Sequence, residues 1–176
     1  MAMIPELRQP ATDEMAIRRL LIAADEAFVP PLTADSRAAI SRPGDERGPT
    51  SIEDYVAACL DRPLLGAVED GRLVGFCSFE PRTDGGPLAD YTPTNHVEVL
   101  VVGEAYRNHG IATGFYRHLL SSLPPAFDQP AVSTKTWSTN EPHLAILESL
   151  SFDCVHRVVD DRKPGVDTVY YARRTE

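Results

Sequence analysis

The sequence predicts an α/β protein with a mixed β-sheet and the element order β-α-α-β-β-β-α-β-α-β-β. Three observations carry that reading. Segments 12–28 and 111–123 repeat apolar residues at three- and four-residue spacing, the period of a helix with one buried face. Runs rich in Val, Leu, Phe and Tyr at 64–68, 73–79, 96–102, 132–137, 154–159 and 168–172 are bounded by Gly, Pro, Asp and Asn, as strands are. Of the 176 residues, 43% are hydrophobic and 24% charged, enough for one good core and marginal for two, so residues 1–176 are read as a single domain.

Residues 4–8 form a short edge strand. Pro10 and Thr12 then set up a helix, with Thr12 as its expected N-cap and Asp13 and Glu14 in the first turn, where the helix dipole favours acids. Met15, Ile17, Leu20, Leu21, Ala24 and Phe28 make its apolar stripe until Pro30 and Pro31 stop it. Residues 29–49 hold four prolines and two glycines and read as a long loop. A second helix runs over 51–60, with Ser51 as cap and Asp54 three positions on. Glu69-Asp70-Gly71-Arg72 between two apolar runs is a hairpin signal. Residues 81–95, with three prolines and Gly85-Gly86, read as a second irregular loop. The stretch 96–102 is apolar on both faces and suits a central strand. Glu98 interrupts it, and a carboxylate in such a strand needs a partner or a purpose. After the polar turn from Gly103 to Gly110, a helix opens at Ile111 with Phe115, Leu119 and Leu123 on its core stripe, joined by Tyr116 and Leu120, and Pro124-Pro125 ends it. Asn140 caps or precedes a helix over 142–150, with Pro142 in its first turn and Leu144, Ile146, Leu147 and Leu150 available for packing. An Asp-Arg-Lys-Pro-Gly turn joins the last two strands as an antiparallel pair.

Seventeen basic against 26 acidic residues give a formal charge of −9, the opposite of a protein that wraps nucleic acid, so no nucleic-acid partner is expected. The overall field weakly favours a cationic substrate. No run approaches the roughly 18 apolar residues of a membrane helix, and the first ten residues lack the pattern of a signal peptide. No membrane partner and a cytoplasmic location are the expectation. Cys59, Cys77 and Cys154 form no CxxC pair and are expected to be buried, inert thiols. Five histidines in no HxH or HExxH pattern give no expectation of a metal site. His143 reads as a surface residue, Trp137 as packing, and Arg173-Arg174 as a solvated basic tail.

The informative stretch is Arg107-Asn108-His109-Gly110-Ile111-Ala112-Thr113, which joins a buried strand to the start of a helix. Free amides and the positive dipole end make a helix start a phosphate site. Gly110 permits close backbone approach, Ala112 is small, and Arg107 can meet a second phosphate. The stretch is neither a P-loop nor a dinucleotide fingerprint, since GxGxxG and the Gly-Lys-Ser/Thr ending are absent. The strand, the turn, Arg107-x-x-Gly110-x-Ala112 and the amphipathic helix together resemble the acetyl-coenzyme A motif of the GNAT (GCN5-related N-acetyltransferase) superfamily. Leu7-Arg8 with Pro10-Ala11-Thr12 and Asp13, Leu73-Val74-Gly75-Phe76, Asn140 with Leu147-Glu148-x-Leu150-Ser151-Phe152, and Thr168-Val169-Tyr170-Tyr171 extend the resemblance over most of the chain, in order and at the right spacing.

The resemblance implies a strongly twisted mixed sheet with helices on both faces, acetyl-CoA as co-substrate, no metal, and a possible homodimer. It implies that backbone at Leu100, Val101 and Val102 holds the pantetheine arm, that an amide near Val102 polarises the acyl carbonyl, that amides from Arg107 to Thr113 hold the pyrophosphate, and that Asn140 contacts the cofactor arm. The tyrosine that many members carry in the fourth helix is Leu147 here, and the glycine before the aromatic residue is Ser151. The implied chemistry is attack of a deprotonated primary amine, from a small molecule or a peptide, on the thioester. Glu98 is the first candidate base, on the expectation that burial raises its pKa, and His96, two positions away, is the second. Transfer to oxygen or of a longer acyl group, and a coenzyme A-binding module with weak catalysis, stay open. The acceptor depends on residues 29–49 and 81–95, which hold no diagnostic motif.

Overall fold

The computed structural model describes residues 3–40 and 48–176; the part of the 29–49 loop at 41–47 lies outside the described residues. Its elements are β1 (Glu6–Arg8), α1 (Glu14–Ala24), α2 (Ile52–Leu60), β2 (Leu64–Glu69), β3 (Arg72–Arg82), β4 (Thr94–Val102), α3 (Ile111–Ser121), β5 (Ala131–Trp137), α4 (Glu141–Ser149), β6 (Asp153–Lys163) and β7 (Val166–Arg174). This is the order that the sequence predicts. The strands form one sheet in the order β1-β2-β3-β4-β5-β7-β6. All neighbours are antiparallel except β4 and β5, which run parallel.

Helices cover both faces. Ile17, Leu20 and Leu21 of α1 and Tyr55, Val56 and Cys59 of α2 pack with Leu64, Phe76, Val99 and Val101 on one side. Ile111, Phe115 and Leu119 of α3 and Leu147 of α4 pack with Leu65, Cys77, Val97 and Val132 on the other. Alternating Phe76 and Cys77 to opposite layers is the two-residue period of a strand buried on both faces. The β2–β3 hairpin turns on Asp70 and Gly71, both at positive φ (50° and 74°), as a two-residue turn that matches strand twist requires. Ser51 caps α2, its Oγ accepting from the Asp54 amide at 3.1 Å.

Several expectations change. Residues Pro10–Asp13 form a 3-10 turn ahead of α1, and the Thr12 hydroxyl donates to Gln9 O (2.7 Å) instead of capping the helix. Asp13 is held by Arg8 (2.8 and 3.0 Å). Helix α1 ends at Ala24, and Phe28 lies beyond it against Trp137, ring centroids 5.5 Å apart. Met15 is exposed, because Ile17, Leu20, Leu21 and Ala24 already define the buried face. Residues 81–82 extend β3, and a 3-10 helix, Gly86–Tyr91, orders part of the loop that follows. Cys154 is exposed, since β6 is an edge strand whose residues are mostly open to solvent, whereas Cys59 and Cys77 are buried as expected. Arg173 is half-buried and donates to Leu150 O, whereas Arg174 is exposed as expected and donates to Asp90 O, each at 2.7 Å. Among the described residues no helix is long and apolar enough to cross a membrane.

Candidate active site

Parallel pairing of β4 and β5 stops early. Asn95, His96 and Val97 pair with Val132, Ser133 and Thr134, and no pair follows, although β4 continues to Val102 and β5 to Trp137. The two strands therefore open a wedge. Along it the β5-facing backbone edge of Leu100, Val101 and Val102 has no strand partner, and the Arg107 Nε donates to Val102 O at 3.2 Å.

The chain leaves β4 through Gly103 and a 3-10 turn, Glu104–Tyr106, and enters α3 through two left-handed residues, Asn108 (φ 63°) and Gly110 (φ 80°). The first helical bond runs from the Gly114 amide to Gly110 O, 2.9 Å, so the amides of Ile111, Ala112 and Thr113 point outward without helical partners. Arg107, Asn108, His109 and Gly110 are exposed, and a side chain at Gly110 would meet nothing within 4 Å. The sequence thus places an open cluster of backbone donors beside the wedge. Asn140, at the start of α4, does not cap that helix with its side chain; its Nδ2 donates to Thr136 Oγ1 at 3.0 Å. Leu147 is fully buried. His143 is half-buried rather than superficial, its Nε2 2.7 Å from the hydroxyl of buried Tyr116.

A β-bulge sets the opposite face. Ser78 pairs with Val99 and Phe79 with Val97, which leaves Glu98 as the extra residue. Val97 packs toward α3, whereas Val99 packs toward α1 and α2. Glu98 and Val99 both line a small cavity, about 50 Å³, together with Phe28, Arg37, Tyr55, Arg62, Lys135, Trp137 and Arg162. Trp137 is therefore both packed and cavity-lining.

Glu98 has a partner. Arg82 donates to its Oε1 at 2.7 Å and bridges to Glu80 Oε1, also at 2.7 Å, while Arg62 holds Glu80 Oε2 at 3.1 Å. Burial pushes the Glu98 carboxyl up, as expected from the sequence, but the charge of His96 when it is protonated, with those of Arg62 and Arg82, outweighs it and brings the pKa to about 2. His96 is itself pulled down to about 4, chiefly by burial, and is neutral at pH 7. The arginines are then what keep Glu98 ionised. Glu80 moves up, through burial and then the charge of Glu98. His96 is fully buried, its Nδ1 lies 2.8 Å from Ser133 Oγ, and its Nε2 has no hydrogen-bond partner among the described residues.

Both candidate bases thus sit on the α1–α2 side of the sheet, and the cofactor-type residues frame the wedge and the start of α3. Sequence reasoning missed Arg37, Arg62, Arg82, Lys135 and Arg162. One signal was available: Lys135 interrupts a buried strand just as Glu98 does. Among the described residues no group of three or more His, Cys, Asp or Glu is arranged to hold a metal ion.

A family model described as the acetyltransferase (GNAT) family matches residues 31–152. Among curated proteins no significant match is found. The fold is similar to the N-acetyltransferase from Staphylococcus aureus Mu50, at 15% identity and TM-score 0.67 over 100% of both chains. It is similar to yncA from Salmonella typhimurium, solved with its cofactor acetyl-CoA, at 17% identity and TM-score 0.67 over 100% of this chain and 95% of that one. NAA60 from Arabidopsis thaliana, in complex with a bisubstrate analogue, matches at 18% identity and TM-score 0.61 over 98% of each chain. At these identities the likeness is one of fold.

Proposed function

Because the chain belongs to the acetyltransferase (GNAT) family, we propose that it moves an acetyl group from acetyl-CoA to a primary amine by direct attack. The observation that supports this best is the β4–β5 wedge, which joins an open set of free amides at the start of α3 on one side to a charged cavity on the other. The residues present fit a coenzyme A thioester. The amides of Ile111, Ala112 and Thr113, with the turn through Arg107, Asn108, His109 and Gly110, receive a pyrophosphate. The unpaired edge of Leu100, Val101 and Val102 pairs with the amide groups of an extended arm, Asn140 borders that arm, and an edge amide near Val102 polarises an acyl carbonyl. Bound acetyl-CoA supplies the activated acyl group and a thiolate leaving group.

On the cavity side Glu98 receives the acceptor's ammonium and orients it toward the wedge. An ionised carboxylate with a pKa of about 2 is a weak proton acceptor by itself. Glu80, whose carboxyl holds a proton more readily than usual through burial and its direct contact with Glu98, gives that proton somewhere to go, so the two carboxylates act as one coupled pair while Arg82 bridges and orients both. Neutral His96 is the second acceptor. Buried Leu147 offers no hydroxyl to the departing thiolate. A thiol of pKa about 8.5 leaves without one more slowly but still feasibly. That same leucine favours a second reading, a coenzyme A-binding protein with weak catalysis.

Titration calorimetry with acetyl-CoA, followed by turnover with an amine panel, tests both. Glu98→Gln is expected to keep acetyl-CoA affinity and to lose about 100-fold or more in kcat. An unchanged rate removes Glu98 from the mechanism. Binding without turnover of any amine leaves the second reading, and absence of binding removes both.

A further inference from the structure

Tyr116 and His143 form a buried polar pair that no step of the transfer above uses. Tyr116, in the second turn of α3, is fully buried in the layer under α3 and α4, and its hydroxyl lies 2.7 Å from His143 Nε2. Its ring stands edge-on to Phe152, centroids 5.4 Å apart. The same hydroxyl meets the side chain of Thr134. Thr134 is the last β5 residue paired with β4, and its Oγ1 reaches back to Val97 O at 3.4 Å. Two residues on, where β5 has parted from β4, Thr136 Oγ1 accepts from Asn140 at the opening of α4. His143 follows in the first turn of that helix, one turn before Leu147 and on the same face. The pair therefore forms the α3–α4 wall of the wedge at its vertex, across the sheet from Glu98 and His96. Burial pushes the Tyr116 phenol up and brings His143 down to about 4, so at pH 7 the phenol keeps its proton and the imidazole is neutral. Cys77, the titratable neighbour on β3, is likewise a neutral thiol raised by burial.

A neutral phenol and a neutral imidazole hold two acidic protons between them. One lies in the bond that joins them, and one is left to donate, whichever tautomer the imidazole takes. Building on the acyl-transfer reading above, we propose that Tyr116 and His143 together give the departing sulfur the hydrogen bond that Leu147 has no hydroxyl to make. In that step the C–S bond breaks and its electron pair stays on sulfur. The thiolate accepts the spare hydrogen of the pair as a hydrogen bond and takes its proton from water on release. The acceptor's own proton leaves toward Glu98 and Glu80, so proton removal and sulfur departure are served from opposite faces of the sheet. A donor already held in place meets the developing charge without reorganising.

Titrating coenzyme A bound to the full chain tests this without any acceptor. The ultraviolet absorbance of the thiolate, taken as a difference from the protein alone, reports the bound thiol directly. A hydrogen bond to the charged form favours it, so the bound thiol is expected to titrate about one unit lower in the wild type than in Tyr116→Phe or His143→Leu. Tyr116→Phe removes a single oxygen and keeps the ring against Phe152, so it holds the test open if His143→Leu unsettles α4. Turnover is then compared between acetyl-CoA and its selenoester, whose selenolate leaves more readily, with the amines that the wild type accepts. Each variant is expected to lose roughly tenfold or more in kcat with the thioester and less than about threefold with the selenoester. A purely structural role would slow both donors alike. An equal bound-thiol pKa in folded variants, or equal losses with the two donors, overturns the proposal and leaves the transferase reading standing. A lowered thiol pKa without turnover of any amine leaves the pair as a thiolate site and removes the transferase reading. Absence of coenzyme A binding removes both.

Discussion

Replacing Thr113 with aspartate drives stability and cofactor affinity in opposite directions. Thr113 is the third residue of α3, whose first internal bond is made only by Gly114. An acid in that turn faces unpaired amides and the positive dipole end, worth about 0.3–1 kcal/mol to the free protein. For a chain of this size that raises Tm by about 1–3 °C. The same charge stands where the proposed site receives the pyrophosphate. Like charges about 4 Å apart repel by about 1 kcal/mol in water and about 4 kcal/mol at an effective dielectric of 20. Two phosphates make the penalty at least about 2 kcal/mol, or roughly thirtyfold in affinity. Thermal melting and titration calorimetry with acetyl-CoA, with Thr113→Asn as the uncharged control, measure both quantities. If Thr113→Asp melts higher yet binds acetyl-CoA within threefold of Thr113→Asn, the start of α3 is not the phosphate site.

Ser51→Ala removes the oxygen that accepts from the Asp54 amide and is expected to cost about 1 kcal/mol in urea unfolding; no change would mean that α2 is held by packing alone. His96 remains neutral in the folded chain down to about pH 4, whereas the unfolded side chain titrates near 6.5. The unfolded state therefore binds the extra proton between those values, and stability is complete above pH 6.5 and falls toward pH 4, by on the order of 3 kcal/mol. His96→Asn is expected to flatten that slope, and an equal slope would assign the acid sensitivity to other groups.

What could be read from the sequence was local. The Asp70-Gly71 turn, the Ser51 cap and the opening of α3 at Ile111 each depend on a few adjacent residues, and all three stand as expected. The wedge left no local mark, since nothing in Val97 or Thr134 announces that pairing ends there. The cavity was harder still. Arg37, Glu98, Lys135 and Arg162 meet from separate elements, and such long-range proximity leaves no mark on spacing. The Glu98 pKa was misjudged for the same reason: burial could be read from the strand, but Arg82 on the neighbouring strand could not. Cys154 was misplaced because an apolar run looks alike in a central strand and at an edge, where β6 lies.

The bulge gives position 98 a second meaning. Upstream of it, β4 keeps step with β5, and downstream the alternation is inverted, so one strand speaks in two phases. Substituting Glu98 changes only chemistry, whereas deleting it removes the bulge: Val97 opposite Phe79 and Val99 opposite Ser78 would become consecutive ladder pairs. Val99 and Val101 would keep their places in the α1–α2 layer, and β4 would lose the local bend that the extra residue supplies just where its pairing with β5 ends. Position 98 thus carries a backbone feature as well as a carboxylate, and a one-residue deletion there removes both at once.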